Sequence, residues 1–230
     1  MEHRSLAEML SRAKSAKSDF DRLTVFDVGA NVGQSFRLFR KFLPDATIHC
    51  FEPVPKTFSR LQEAVSDDEL AFAHQLGLAS NVGHVRFTSN LNTGNHQVLE
   101  GEQLSKDEIE VEVATGDSIC GDLGIEFIDY LKIDAEGYDL DVLLGFSDML
   151  RKGRVAYLQV ECSTNLDNRF HVHLERFIHF LHPFNYRLSD LIEPVRRVNS
   201  TNQALNGIWY CNAVFAREVE NPALRRDGVN

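Results

Sequence analysis

The chain of 230 residues has no CxxC pair: Cys50, Cys120, Cys162 and Cys211 stand far apart. That spacing argues against a zinc cluster and against a disulfide framework. No apolar run approaches the length of a membrane span, and the opening MEHRSLAEMLSRAKSAKSDF lacks the unbroken apolar core of a signal peptide. A reduced, cytoplasmic location with no membrane span follows. Positive charge is scarce. Twenty-four Lys and Arg against 34 Asp and Glu give a formal net charge of −10, which argues against nucleic acid as the main partner and leaves room only for a small basic patch. Internal repeats and low-complexity linkers are absent as well. What remains, 43% hydrophobic and 25% charged, is the composition of an ordinary globular protein, long enough for one sizeable domain.

The hydrophobic pattern divides the chain into a helix at 1–22, a main domain at 23–217 and a loose polar tail at 218–230. Leu6, Met9, Leu10 and Ala13 form the stripe of a short amphipathic helix. From Leu23 strands alternate with helices. A strand over 23–28 leads to a helix over 34–42, and a strand over 46–51 to a helix with Phe58, Leu61 and Val65 inward. A third strand near 70–76, a hairpin arm at HVRFTSN, a polar stretch over 91–108 and strand character in VEVATGDSI follow. Then come a strand at 127–133, a helix with Leu140, Leu143 and Leu144 inward, and a strand at 154–160. A helix carrying Phe170, Leu174, Phe177, Ile178 and Leu181 precedes a closing strand in GIWYCNAVFAR. Such alternation predicts an α/β fold, a doubly wound and mostly parallel sheet covered on both faces.

Ligands of such sheets bind at the carboxyl ends of the strands. Acidic residues stand at or near that end of four strands: Asp27, Glu52, Asp134 and Glu161. Each has an ordinary explanation, a turn bond for Asp27, helix capping for Glu52 and Asp134, an arginine partner for Glu161. Together they would repel one another unless a cationic or hydroxyl-rich ligand relieved them. Glu52 lies 19 residues beyond Gly33, where this fold places the acceptor of ribose hydroxyls. NAD is one candidate, but DVGANVG lacks the first glycine of GxGxxG, and a carboxylate suits a cation better than a pyrophosphate. S-adenosylmethionine, with a ribose, an ammonium and a sulfonium, fits the charge better.

The blocks VFDVGANVGQS, CFEPVPKTFSRL and YLKIDAEGYDLDVLLGF resemble those of the FkbM-type methyltransferases, a branch of the class I S-adenosylmethionine-dependent enzymes, from about Thr24 to Phe215. The resemblance implies a seven-stranded Rossmann-like sheet with its last strand antiparallel. It also implies methyl transfer to a hydroxyl of a sugar-like or secondary-metabolite acceptor. Carried over by position, Asp27, Gly29, Asn31 and Gly33, with Gln34 and Ser35, would line the methionine part of the cofactor. Glu52 would meet the ribose, and Leu78 and Ala79, in GLAS, would lie near adenine. Asp117 matches a familial aspartate that either supports a loop or touches a ligand. The loop NTGNHQ departs from the family's serines and puts forward Asn95 and His96.

An alcohol is a weak nucleophile, so a general base or a metal would assist. Asp134 is the first candidate for the central role, also on the cofactor side, with Glu161 on the adjacent strand end and His96 as a loop base. Asp134 and Glu161 could equally hold Mg²⁺ with substrate oxygens. His171, Glu175, His179 and His182 fall on one face of the helix expected from Phe170 and read as a solvated face. Lys132, between apolar neighbours, could neutralise a carboxylate. Two alternatives stay open: an NAD(P)-dependent oxidoreductase and an inactive, methyltransferase-like binding subunit. Oligomeric state is not legible.

Overall fold

The computed structural model describes residues 22–88, 108–197 and 207–218. The helix expected over 1–22 and the tail over 218–230 lie outside this range apart from Arg22 and Glu218, and Asn95 and His96 lie wholly outside it.

Ten strands form two sheets: β1 (Thr24–Val28), β2 (Thr47–Phe51), β3 (Ala71–His74), β4 (Gly77–Leu78), β5 (Gly83–Thr88), β6 (Glu108–Ala114), β7 (Ile128–Ile133), β8 (Val155–Cys162), β9 (Tyr186–Val195) and β10 (Tyr210–Arg217). The helices are α1 (Gln34–Phe42), α2 (Pro55–Val65), α3 (Gly116–Asp122), α4 (Asp139–Leu144), α5 (Ser147–Arg151) and α6 (Leu174–Leu181). The main sheet has seven strands in the order β3-β2-β1-β7-β8-β10-β9. Pairing is parallel from β3 to β8, while β10 runs antiparallel to both its neighbours. The doubly wound fold with a final antiparallel strand is thus observed. The order reverses between β1 and β7, which is where ligands settle in open α/β sheets. A small sheet, β4-β6-β5, packs beside it.

Two apolar layers hold the sheet between helices. Val25, Ile48 and Cys50 pack with Phe36 and Phe39 of α1 and Leu61 of α2. On the opposite face Phe26, Leu131, Leu158 and Val160 pack with Val142, Leu143, Phe146, Phe177 and Leu181. β7 is buried along its whole length, as expected of a central parallel strand covered on both faces. Among the described residues no helix is long and apolar enough to cross a membrane.

Four expectations need correction. VEVATGDSI is not one strand: β6 stops at Ala114, and Thr115 caps α3 by accepting the Ser118 amide at 3.1 Å. Leu144 is exposed at the C-terminal end of α4, where Val142 and Leu143 take the buried positions. α6 starts at Leu174, leaving Phe170 63% exposed in the preceding loop and Ile178 exposed on the helix. β9 has no counterpart in the sequence reading; its residues Leu188 and Leu191 are exposed on an edge strand, so the pattern of a two-sided core strand is missing.

Candidate functional site

The turn after β1 begins the site. Gly29, Asn31 and Gly33 all have positive φ, at 75°, 50° and 83°, a path for which glycine carries little steric cost. At Gly29 glycine is also demanded by space, since a Cβ there would fall 1.9 Å from the carbonyl oxygen of Asp134. The turn spends its amides on the protein. Gly29 and Ala30 both donate to the Phe51 carbonyl at 3.0 Å, Gly33 donates to Ala30 at 2.9 Å, and Asn31 donates to Glu52 Oε2 at 3.1 Å. No nest of open amides is left at these four positions for a pyrophosphate.

Glu52 is nearly fully buried and also accepts the Val54 amide at 2.9 Å. It stands where two lobes of a cavity meet. One lobe is apolar, with Val54, Leu76, Leu78, Ala79, Val85 and Val113 among its walls. The other is polar and is bounded by Gly29, Asn31, Gln34, Ser35, Lys132 and Asp134. Gly29, Glu52, Asp134 and Glu136 belong to both lobes. A flat apolar base, a ribose and an amino-acid chain would find, in order, an apolar slot, a carboxylate and a polar slot.

Beneath the polar lobe Asp27 on β1 stands in register with Lys132 on β7. Lys132 Nζ lies 3.4 Å from Asp27 Oδ1 and 3.2 Å from Asp134 Oδ2. Asp27 is wholly buried and, among the described residues, none donates a hydrogen bond to either of its carboxylate oxygens. Burial pushes its carboxyl up, against the opposing pull of Lys132. Burial alone would lower the Lys132 ammonium, but Asp134 and Asp27 together raise it, so it stays charged. Asp27 and Gly33 therefore line neither lobe, contrary to expectation. Asp27 faces inward along the strand, and Gly33 turns its Cα toward Ala64 of α2. The other residues expected at the cofactor (Gly29, Asn31, Gln34, Ser35, Glu52, Leu78, Ala79 and Asp134) are brought together.

The β7–β8 register pairs Ile133 with Val160, so Asp134 and Glu161 occupy matching positions on adjacent strand ends, about 4.8 Å apart along the sheet. Glu161 has a partner of its own. His171 Nε2 lies 2.9 Å from Glu161 Oε2, and the imidazole stacks on Tyr210 with centroids 4.4 Å apart. His171 is thus not on a solvated helix face. It belongs to the loop before α6, which Asn168 shapes by accepting the amides of Phe170 and His171 and donating to the Trp209 carbonyl. Burial pulls the imidazole down, but the hydrogen bond and charge of Glu161 raise it above its ordinary value.

Sequence reasoning missed two further carboxylates of the same rim, although both lie within the YLKIDAEGYDLDVLLGF block. Asp139 opens α4, is almost wholly buried, and accepts the amides of Gly137 and Glu161, each at 3.3 Å. Burial and then Asp134 push it up to about 8. Glu136 takes a left-handed backbone, φ 50°, and is pushed up to about 7 by burial, Asp134 and Glu161. Asp117 accepts the amides of Asp148 and Met149 at 2.8 and 2.9 Å; it caps the start of α5 and supports a loop. The Mg²⁺ site expected at Asp134 and Glu161 is not supported. Asp134 already has Lys132 at 3.2 Å and Glu161 has His171 at 2.9 Å, and among the described residues no group of three or more metal-ligating side chains converges.

A seven-stranded sheet of this order, with a carboxylate between an apolar and a polar lobe at its switch point, defines the class I methyltransferase fold. The chain belongs to the family described as the methyltransferase FkbM domain, whose model matches residues 27–188. It is 27% identical over 150 residues to the 2-O-methyltransferase NoeI of Sinorhizobium fredii, covering 59% of this chain and 62% of that protein. It is 28% identical over 147 residues to the hexuronic acid methyltransferase AglP of Haloferax volcanii, covering 62% and 57%. It is 31% identical over 155 residues to the 31-O-demethyl-FK506 methyltransferase FkbM of Streptomyces tacrolimicus, covering 54% and 59%. The chain spans about three fifths of the length of these relatives. Among solved structures, M. capricolum TrmK in complex with S-adenosylhomocysteine has a TM-score of 0.50 at 9% identity, covering 90% of this chain and 67% of that one. That likeness is one of fold.

Proposed function

We propose that this chain is an S-adenosylmethionine-dependent O-methyltransferase acting on a hydroxyl of a sugar-like or secondary-metabolite acceptor. The observation that carries the reading is the two-lobed cavity meeting at Glu52, above a turn four of whose amides are already taken. Adenine suits the apolar lobe, the ribose hydroxyls suit Glu52, and the donor's ammonium suits the carboxylates of the polar lobe. A dinucleotide would need open amides for its pyrophosphate, and four of the turn's amides are spent on protein acceptors, which counts against the oxidoreductase. The names of NoeI as a 2-O-methyltransferase, of FkbM as a 31-O-demethyl-FK506 methyltransferase and of AglP as a hexuronic acid methyltransferase support the hydroxyl and the acceptor class.

Bound donor would supply an electrophilic methyl group. The chain would contribute orientation, holding the acceptor oxygen in line with the methyl–sulfur bond, an effect that can account for several kcal/mol of rate, roughly 7–11 at best. The test is transfer of labelled methyl from S-adenosylmethionine to a panel of methyl glycosides and hydroxylated macrolactones, with the methylated position read by NMR. Labelled O-methyl product is the expected outcome. Label on nitrogen or carbon, or transfer to none of the panel by a chain that binds the donor, would refute the acceptor assignment.

A further inference from the structure

The rim divides along the sheet. The cavity reached from β2, β1 and β7 is bounded by Glu52, Asp134 and Glu136, and the next strand end holds Glu161. If the donor occupies the cavity, as the proposed function has it, the acceptor hydroxyl arrives beside β8. Asp134 borders both lobes of that cavity and carries the Lys132 ammonium on Oδ2, so it stands on the donor's side of the rim. Glu161 is differently equipped. His171 engages Oε2, and among the described residues nothing hydrogen-bonds Oε1. His171 is not itself free to act as the base: Nε2 faces Glu161 and Nδ1 faces Asn168 at 3.0 Å. Asn168 is wholly buried and tied to the Trp209 carbonyl, so the imidazole is fixed on both edges and on the face stacked against Tyr210.

We propose that Glu161 takes the acceptor's proton and that His171, through its clamp on Oε2, positions that carboxylate. This rests on the methyltransferase reading above. In the step, the acceptor oxygen forms a bond to the methyl carbon as the carbon–sulfur bond breaks. The electron pair of that bond stays on sulfur, giving neutral S-adenosylhomocysteine, and the hydroxyl proton passes to Glu161 Oε1. The groups around Glu161 are Asp134 and Glu136 from the loop after β7, Asp139 from α4, His171 from the loop before α6 and Tyr210 from β10. All but His171 and Tyr210 are carboxyls, and of these groups His171 is the one that engages the Glu161 carboxylate, at 2.9 Å.

The test combines S-adenosylhomocysteine titration with methyl-transfer kinetics on the methyl glycoside that the wild-type chain turns over fastest. Glu161→Gln is expected to lose about 100-fold or more in kcat, the span of general-base catalysis, while its S-adenosylhomocysteine affinity stays within about twofold. His171→Gln is expected to lose about tenfold in kcat with acceptor KM and S-adenosylhomocysteine affinity little changed. If Glu161→Gln fails to fold, Glu161→Asp keeps the charge but draws it back by one methylene, and should also lose kcat. Wild-type kcat in Glu161→Gln or Glu161→Asp overturns the proposal. So does a His171→Gln variant whose rate and donor affinity fall while its acceptor KM rises, as a structural role would require, and so does a wild-type chain that binds S-adenosylhomocysteine and turns over no glycoside. Failure of the wild-type chain to bind S-adenosylhomocysteine overturns instead the donor reading on which the proposal rests.

Discussion

Replacing Lys132 with Met tests the electrostatics under the site. The side chain is nearly fully buried, and so is Asp27, whose carboxylate has Lys132 at 3.4 Å and no hydrogen bond from the described residues. Removing one partner of a buried pair leaves the other charge without compensation, at about 3–5 kcal/mol. The second contact, to the partly exposed Asp134, adds little because solvent screens it. In a chain of this size 1 kcal/mol shifts Tm by about 2–4 °C, so Lys132→Met should melt roughly 10 °C below wild type at neutral pH. Because the cost is that of a buried anion, adding Asp27→Asn should recover more than half of the loss. The sign with pH follows. Burial raises Asp27 above its unfolded value, so in Lys132→Met the penalty is smallest where Asp27 is protonated and grows as pH rises through its folded pKa. Thermal melts of the two variants and wild type at pH 4.5 and 8 read all of this. A Lys132→Met variant melting within a degree or two of wild type at pH 8 would refute the reasoning, as would a double variant no more stable than the single one.

Gly29→Ala places a methyl group against the Asp134 carbonyl and demands φ 75° of a residue that resists it; it should cost about 1–3 kcal/mol and abolish S-adenosylhomocysteine binding in a calorimetric titration. His49 lies between Phe26, Phe72 and His74, and burial and then His74 hold its imidazole down at about 4. The unfolded chain binds the proton at higher pH, so about 2 kcal/mol of stability, discounted for screening, should be lost as pH falls from 6.5 toward 4, and His49→Phe should flatten that part of the denaturant-midpoint profile. Asp117→Ala removes two amide bonds at the start of α5 and should lower stability by about 1–2 kcal/mol without changing S-adenosylhomocysteine affinity. With Asp134, Glu136, Asp139 and Glu161 on one rim, a methyl glycoside should be methylated in preference to the corresponding uronate, as competition of the two for labelled methyl would reveal.

The parallel strands and the acidic rim were legible because burial forces them to announce themselves. A strand covered on both faces is mostly apolar, as β7 is apart from Asp129 and Lys132, and the rim carboxylates stand out at its end. Glu52 followed from its distance to the glycine turn, which the βα geometry sets. β9 was not legible, because an edge strand with Leu188 and Leu191 exposed carries no two-sided core pattern. The cap that splits VEVATGDSI was available in the Thr115 and Ser118 spacing, but strand character in the flanking valines outweighed it. His171 was misread because Phe170 extends the helical spacing by chance. What actually sets the loop is Asn168 bonding two backbone amides and the distant Trp209 carbonyl, contacts that local periodicity does not encode. The partners of Asp27 and Glu161 likewise depend on register, which places Lys132 beside one and leaves the other to His171.

The central claim is that the lobes meeting at Glu52 hold the methyl donor. Its most direct test is calorimetric titration of the full chain with S-adenosylhomocysteine, with NAD⁺ as control. The account predicts saturable one-to-one binding of S-adenosylhomocysteine in the micromolar range, lost in Glu52→Ala, and no heat from NAD⁺. Saturable binding of NAD⁺ with none of S-adenosylhomocysteine would contradict it.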